Sequence, residues 1–453
     1  MARPLRVRFR SVSIPLAILF LLTAAPAFPS GFQLNPQGAR AMGMGLAFTA
    51  VANDPSAIFF NPAGLGWQKH FDVEVGSSFI TKTQGDFDGE NPFPGIGNSE
   101  KQHKTTFTLP TLYVVAPLTS EINFGLGIFS QYGLGFRWDN AEDCGGDCAT
   151  NPVKSSSFSG RFISQNAVIQ TVDLNPVLSF QVIPALAIAV GADYRVSKVQ
   201  LERNQGAINP FTNSVVDVAH VKLNSDLTDN HGWGWNAGIL VRPVPQFSFG
   251  AAYRSKIKID YEGTATFKQR LTGNAQFDGI VASQLPQGTH PVTTSIPFPA
   301  SVNLGTAFTF PGQFTVSLEG DWTEWSDFQN LDIIFPDLTG RNLHRHMGWK
   351  DSWAYRIGLE KKFSGCSCMA VRAGYYRDNT PQPVENAGPL LADNDRDGYT
   401  LGFGYDTDRW GVEVSDLYIN FKKLDTAGRS QDNYYGLYKE TANVFAFSFR
   451  FSF

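Results

Sequence analysis

The sequence holds little charge, little cysteine and, past its N-terminus, no long apolar run. Charged residues make up 17% of the 453, below the roughly 25% of an ordinary soluble protein. The 37 Lys+Arg stand against 41 Asp+Glu, a formal net charge of −4 and a pI near 6.0. That balance excludes a strongly basic nucleic-acid binder. A mean hydropathy of −0.16 excludes a polytopic helical membrane protein, whose spans need roughly 18–20 consecutive apolar residues each. The four cysteines form two local pairs, Cys144/Cys148 and Cys366/Cys368, too far apart in sequence to read as one zinc site. They suit an oxidising compartment, and the Gly/Asp-rich stretch from Cys144 to Cys148 fits a small disulfide ring. What the chain has in quantity is glycine, 43 residues, and aromatics, 13%. That is a β-rich composition, which need not look greasy.

Arg3, Arg6, Arg8 and Arg10 form a positive start, an apolar stretch from Ile14 to Ala24 follows, and Ala25-Pro26-Ala27 supplies a small–x–small cleavage pattern. Residues 1–27 read as a secretory signal peptide, so the mature chain is exported.

Beyond residue 70 the dominant signal is two-residue alternation. From Phe247 to Glu262, Phe247, Phe249, Ala251, Tyr253, Ile257, Ile259 and Tyr261 fall on one face, with Ser248, Gly250, Arg254, Lys256, Lys258, Asp260 and Glu262 on the other. Leu186, Ile188, Val190, Ala192, Tyr194 and Val196 alternate in the same way with Ala187, Ala189, Gly191, Asp193, Arg195 and Ser197. Such strands outlast the ~5–6 residues usual in globular sheets and suffice to cross an outer membrane at a tilt. A sandwich would have shorter strands, whereas a closed barrel leaves no sheet edge unpaired in the bilayer. At the C-terminus Phe445, Phe447, Phe449, Phe451 and Phe453 share one face, a pattern resembling the assembly signal of bacterial outer-membrane barrels. The fold class expected is all-β, a transmembrane antiparallel β-barrel of about 14 strands over residues 71–453. Strand centres are expected near Val75, Leu112, Phe129, Val172, Val190, Ala237, Tyr253, Val302, Leu318, Ile357, Ala373, Phe403, Val414 and Phe447. Tight turns, expected in the periplasm, lie at 182–184, 243–245, 311–312, 365–368 and 406–409. Longer polar connections, including 204–230, 272–290 and 337–348, are expected outside the cell.

Residues 31–67 do not alternate and are crowded with glycine and alanine. Such a segment packs compactly where backbones approach closely, so residues 28–70 are expected to form an N-terminal hatch, or plug, inside the lumen. Here the residues carry a resemblance. Ser30-Gly31-Phe32-Gln33-Leu34-Asn35, Gly43-Met44-Gly45-Leu46-Ala47, Asn53-Asp54-Pro55-Ser56 and Phe60-Asn61-Pro62-Ala63-Gly64-Leu65, then Ser130-Gln131-Tyr132-Gly133-Leu134, Gly234-Trp235-Asn236-Ala237-Gly238 and His346-Met347-Gly348-Trp349-Lys350-Asp351 follow one another in the order of the outer-membrane long-chain fatty-acid and hydrophobic-compound transporter family (FadL/TodX type). Each motif is weak alone; the ordered set resembles the family over nearly the whole mature chain.

The resemblance implies a fourteen-stranded, plugged barrel that takes up hydrophobic molecules, long-chain fatty acids or similar, and releases them sideways at a kink in strand 3. It implies Asn61, Pro62 and Ala63 as a hatch motif, and Ser130, Gln131, Tyr132, Gly133, Leu134 and Gly135 as the lateral opening. Gly133 is expected to supply backbone angles closed to other residues. Arg203 matches a basic residue that can meet a fatty carboxylate. Asp332 stands where the family pattern has a lysine, which leaves room for neutral cargo. The partners implied are a hydrophobic small-molecule ligand, outer-membrane lipid and the barrel-assembly machinery, with no nucleic acid, no cofactor and a monomeric state. The competing readings are an uptake channel for aromatic hydrocarbons and a general diffusion porin, the latter disfavoured by a plug. An outer-membrane lipase or protease needs a base beside its nucleophile, and the seven histidines offer no convincing Ser/His or Asp/His pair at strand spacing, so no catalytic residue is assigned. No metal site is assigned either. Asp393–Gly398 opens like a calcium loop but reaches Gly404 where a bidentate Glu is required, and His344 and His346 lack further ligands at zinc spacing.

Overall fold

The computed structural model describes residues 31–138, 158–363 and 365–453. The expected signal peptide and the expected Cys144/Cys148 ring lie outside these residues. Fourteen antiparallel staves form the wall: β1 (Asp72–Gly89), β2 (Thr106–Pro117), β3 in two pieces (Ile122–Phe129 and Gly133–Arg137), β4 (Asn166–Ile183), β5 (Leu186–Asn209), β6 (Ser214–Ser225, His231–Val244), β7 (Phe247–Arg254, Ile257–Gln269), β8 (Gly288–Phe298, Ser301–Phe310), β9 (Phe314–Thr323, Asn330–Ile334), β10 (Leu343–His346, Ser352–Phe363), β11 (Cys366–Asp378), β12 (Arg396–Asp406), β13 (Trp410–Phe421) and β14 (Gly436–Ser452). The ring closes where β14 pairs β1, from Asp72↔Ser452 to Gly89↔Gly436. Each expected strand centre falls in its own stave.

Connections at one end are tight and those at the other long. Several of the long ones carry more structure than their polarity suggested. The stretch 204–230 is mostly ladder, because β5 and β6 continue pairing to Asn209↔Ser214. A helix, α3 (Ala275–Gln284), capped by Asn274, occupies 272–290, and Leu343–His346 pairs with Asn330–Ile333. The turn expected at 365–368 is shorter, since Cys366 already opens β11, and Cys368 is disulfide-bonded.

Alternation sorts side chains to the two faces, but which face is apolar changes along the stave. In the first half of β5, Ile188 and Val190 are exposed to the outside while Asp193, Arg195 and Ser197 are buried in the lumen. Six residues on, with the register unbroken, the inward positions carry Val199 and Leu201 and the outward ones Lys198 and Gln200. In β7 the reversal is achieved differently. The ladder breaks at Ser255–Lys256, where Ser255 exchanges bonds with Trp235. Phe247 and Phe249 therefore face out, whereas Ile257, Ile259 and Tyr261 are buried inside. The sequence reading put all of these on one face; the irregular backbone at the break shifts the alternation by one and so re-aims everything after it. The wall is thus apolar outside and polar inside at the short-turn end, and polar outside and apolar inside towards the long loops. Trp233, Trp235, Trp353, Tyr355, Tyr375 and Tyr399 are exposed on the outer surface near the changeover, as amphipathic rings are at a membrane interface.

Residues 31–67 lie within the ring and bond to strands on all sides of it. Ser78 of β1 donates to Pro36 O, Ser179 of β4 to Ala63 O, Ser248 of β7 to Ala50 O and Ser415 of β13 to Ala39 O. Thr49 N donates to Glu319 of β9. Two short helices, α1 (Ala39–Gly43) and α2 (Ala57–Phe60), carry the segment. Small residues are required on both sides of the contact: Gly45 is at φ +61 with the Gly374 Cα beside it, and a Cβ on either would overlap the other's backbone or the strand's. The segment starts at the long-loop end, where Gly31 N bonds Asp393 at 3.0 Å. It leaves at the short-turn end, where Trp67 Nε1 donates to Pro184 O and Arg242 stacks on the Trp67 ring.

Candidate functional site

The inward apolar residues of the upper staves enclose a cup. Val199 and Leu201 of β5, Leu223 of β6, Tyr261 of β7, Val292 and Ile296 of β8 and Leu331 and Ile333 of β9 line it, with Phe32 of the inner segment and Leu134 of β3. No charged side chain is among its lining. Its volume is 70 Å³, where one water requires about 10–15 Å³ on the same measure. Phe32 closes the floor. Its ring sits 4.7 Å from Trp325, 5.6 Å from Trp349, 5.8 Å from Phe298 and from Phe328, and 5.9 Å from Tyr132. These edge-on contacts were not legible in the sequence, because the rings come from five separate segments.

Above the cup, a second cavity of 320 Å³ shares Leu201, Leu223, Leu331, Ile333 and Leu390 with it and adds Glu202, Arg203, His344, Arg345 and Asp432. Arg345 is held by a two-pronged bond to Asp432 at 2.8 and 2.6 Å. Arg203 lines this mouth, and among the described residues no hydrogen bond or ion pair occupies its guanidinium. Asp332 is absent from both linings. It points the other way, half exposed, and accepts from His344 Nδ1 at 2.9 Å. It is not itself part of either lining, since in a strand the residue between two inward neighbours faces out, though its partner His344 reaches the rim of the upper cavity.

Beside the cup, the ladder of β3 is interrupted. Phe129 pairs with Asp173 of β4 and pairing resumes at Gly133↔Gln170, so Ser130, Gln131 and Tyr132 oppose only Thr171 and Val172, a one-residue bulge. On the other side β2 pairs β3 only from Leu112↔Ile128 to Pro117↔Asn123. Among the described residues no strand joins Thr106–Thr111 of β2 to Gly133–Arg137 of β3. The inner segment approaches there instead: Leu34 N donates to Gln131 O and Gly133 N to Phe32 O. Gly133 is not at positive φ, contrary to the expectation. The irregular backbone lies at 130–132, and Gly133 is the first residue of the restored ladder.

Asn61 serves two structures. Its Oδ1 accepts from Ala63 N, capping the 3-10 helix Pro62–Trp67, while its Nδ2 donates to Thr49 O and Ile239 O. The acidic run after Asp393 is spent on arginines rather than on a cation. Arg396 pairs Asp378 and Asp393, and Arg377 pairs Asp395 and Asp397. Burial pushes the Asp393 carboxyl up to about 6, against Arg396, which lowers it. Deeper in, Arg40 of α1 bonds Glu360 at 3.0 and 3.2 Å and Asn53 at 2.7 Å, and Arg372 joins Glu360 to Glu413.

The sequence profile described as outer membrane protein transport protein (OMPP1/FadL/TodX) matches residues 20–453. A long-chain fatty acid transport protein of Escherichia coli O6:H1 is 25% identical, covering 97% of this chain and 98% of the relative. Outer membrane protein P1 of Haemophilus influenzae is 23% identical over 90% of each. Among solved structures, a Pseudomonas aeruginosa FadL homologue superposes with a TM-score of 0.75 at 21% identity over 94% of this chain and all of the other. The Pseudomonas putida toluene transporter TodX gives 0.69 at 18%, over 93% and 99%. With a match from residue 20 to the last and the same closed barrel, this chain belongs to the OMPP1/FadL/TodX family of outer-membrane transport proteins, transporters rather than enzymes, and its place is the bacterial outer membrane.

Proposed function

We propose that this chain takes up hydrophobic molecules, long-chain fatty acids or similar, and releases them sideways into the membrane at the kink in β3. The observation that carries the reading is the adjacency of an uncharged apolar cup to the interrupted ladder of β3, which lacks a strand partner towards β2 beyond Ile128. Residues 28–70 act as the hatch inside a barrel of residues 71–453, after removal of residues 1–27; assembly is by the barrel machinery, as a monomer. Cargo enters the mouth, where Arg203 takes a carboxylate head group by a charged hydrogen bond, and the tail occupies the cup. Asn61, Pro62 and Ala63 hold the hatch to β6, and Ser130 to Gly135 frame the exit. The names of the relatives, a fatty-acid transport protein and a toluene transporter, are in keeping with an apolar cargo.

A second reading, a neutral aromatic cargo, draws support from the absence of charge in the cup and from the rings around Phe32. A general diffusion porin is disfavoured by the filled lumen. The test is Gly133→Val with Gly320→Val as control, Gly320 being on a remote strand where an added Cβ meets only the Trp353 ring, at 3.9 Å. The reading expects uptake of labelled oleate or toluene to fall to background in the first variant and to hold in the second, both folding normally. Normal uptake by a folded Gly133→Val would overturn lateral exit in favour of passage through the hatch.

A further inference from the structure

The kink in β3 leaves its polar backbone groups without strand partners, and buried amides without partners are costly. Two side chains of β4, Thr171 and Asp173, supply missing bonds, and Arg195 of β5 holds one of them in place. Gln131 N donates to Asp173 Oδ2 at 3.1 Å. Tyr132 N donates to Thr171 Oγ1 at 3.2 Å, and the same hydroxyl donates to Tyr132 O at 2.7 Å. Arg195 Nε donates to Asp173 Oδ1 at 2.7 Å and its Nη2 to Gln131 Oε1 at 2.6 Å. The guanidinium lies 4.5 Å from the Tyr132 ring centre and 4.9 Å from that of Phe298. Asp173, Arg195 and Thr171 are all essentially inaccessible, at 0%, 1% and 1%. Together with the two hatch bonds, every amide and carbonyl of 131–132 and the amide of 133 has a partner, and none of those partners is a backbone group of β4.

We infer that Thr171, Asp173 and Arg195 are positioning residues for release: they hold β3 out of register with β4 and so keep the wall open beside the cup. Side-chain bonds at the bulge compete with the regular ladder. Thr171 ties up both polar groups of Tyr132, and Asp173 fixes Gln131, so the extra residue stays in place instead of migrating along the strand. Arg195 makes the arrangement rigid, because its planar fork satisfies the carboxylate and the Gln131 amide at once. The inference rests on lateral release as the exit route.

The test compares Thr171→Val, which keeps the shape and loses the hydroxyl, with Thr171→Ser, which keeps the hydroxyl, and with Gly133→Val. Uptake of labelled oleate and toluene into cells is measured alongside binding of each to the detergent-purified protein and amide exchange at 130–133. In Thr171→Val we expect the maximal uptake rate to fall about tenfold, in line with two backbone groups losing one partner. Half-saturation and cup affinity should hold, and exchange at Tyr132 should accelerate. Thr171→Ser should restore all three. Unchanged uptake in Thr171→Val while Gly133→Val is blocked would overturn the positioning role and leave lateral release standing. Unchanged uptake in both would overturn both. Equal losses in Thr171→Val and Thr171→Ser, or a parallel loss of cup affinity, would assign Thr171 to general packing and also overturn the inference.

Discussion

Arg203 and Asp393 show how the same pattern in sequence acquires different meanings in space. Arg203 was singled out by the family resemblance alone, and the structure adds that it lines the mouth and that the neighbouring Arg345 is already engaged by Asp432. Arg203→Gln is expected to weaken binding of a fatty acid roughly tenfold, the lower end of a charged hydrogen bond because the mouth is open to water, and to leave toluene binding unchanged; equilibrium binding of both ligands checks it. Asp393 reads in sequence as the start of a calcium loop, and only the fold brings Gly31 to it. Its carboxyl is pushed from an ordinary 3.8 up to about 6, burial being the main cause. Between about pH 4 and 6 the folded chain keeps a proton that the unfolded chain has released, so this group's contribution to stability declines as pH rises through that window. The carboxylate so formed is nonetheless the stronger acceptor for Gly31 N–H. Amide exchange at 31–33, corrected for its intrinsic pH dependence, should therefore be faster at pH 5 than at pH 7, and Asp393→Asn should abolish the difference.

Staves announce themselves by alternation, and all fourteen were legible for that reason. The break in β7 was passed over, although Arg254, Ser255 and Lys256 are three polar residues in a row and interrupt the alternation where the ladder is left. The cup escaped detection for another reason: its lining is an alternating face like any other, and nothing in one strand says whether that face looks at lipid or at cargo. The hatch was visible as small residues without period, but its anchor was not. Arg40 and Glu360 are 320 positions apart. Removing one member of a buried ion pair costs about 3–5 kcal/mol, so Arg40→Ala should loosen the hatch and produce current flicker in planar bilayers. Deleting residues 32–64 should leave a folded barrel with steady conductance to small ions. Conductance equal to that of the intact chain would show that the segment does not plug the lumen.

The closed ring predicts a β-type circular dichroism spectrum and a heat-dependent shift in electrophoretic mobility, both lost together on boiling. A hydrophobic solute at the mouth is inside a sleeve whose outer surface is wet. One stave-half lower, the sleeve's interior is polar and filled by residues 31–67, and its outer surface is apolar. A vertical descent would strip the solute of apolar contact at about 25 cal/mol for each Å² re-exposed; a sideways step at the changeover level re-exposes none. The barrel is in this sense a glove half turned inside out. Among the described residues its seam is where the apolar inner lining gives way to the apolar outer surface, and on the proposed sideways route passage there would require neither pump nor gradient beyond the solute's own preference for oil.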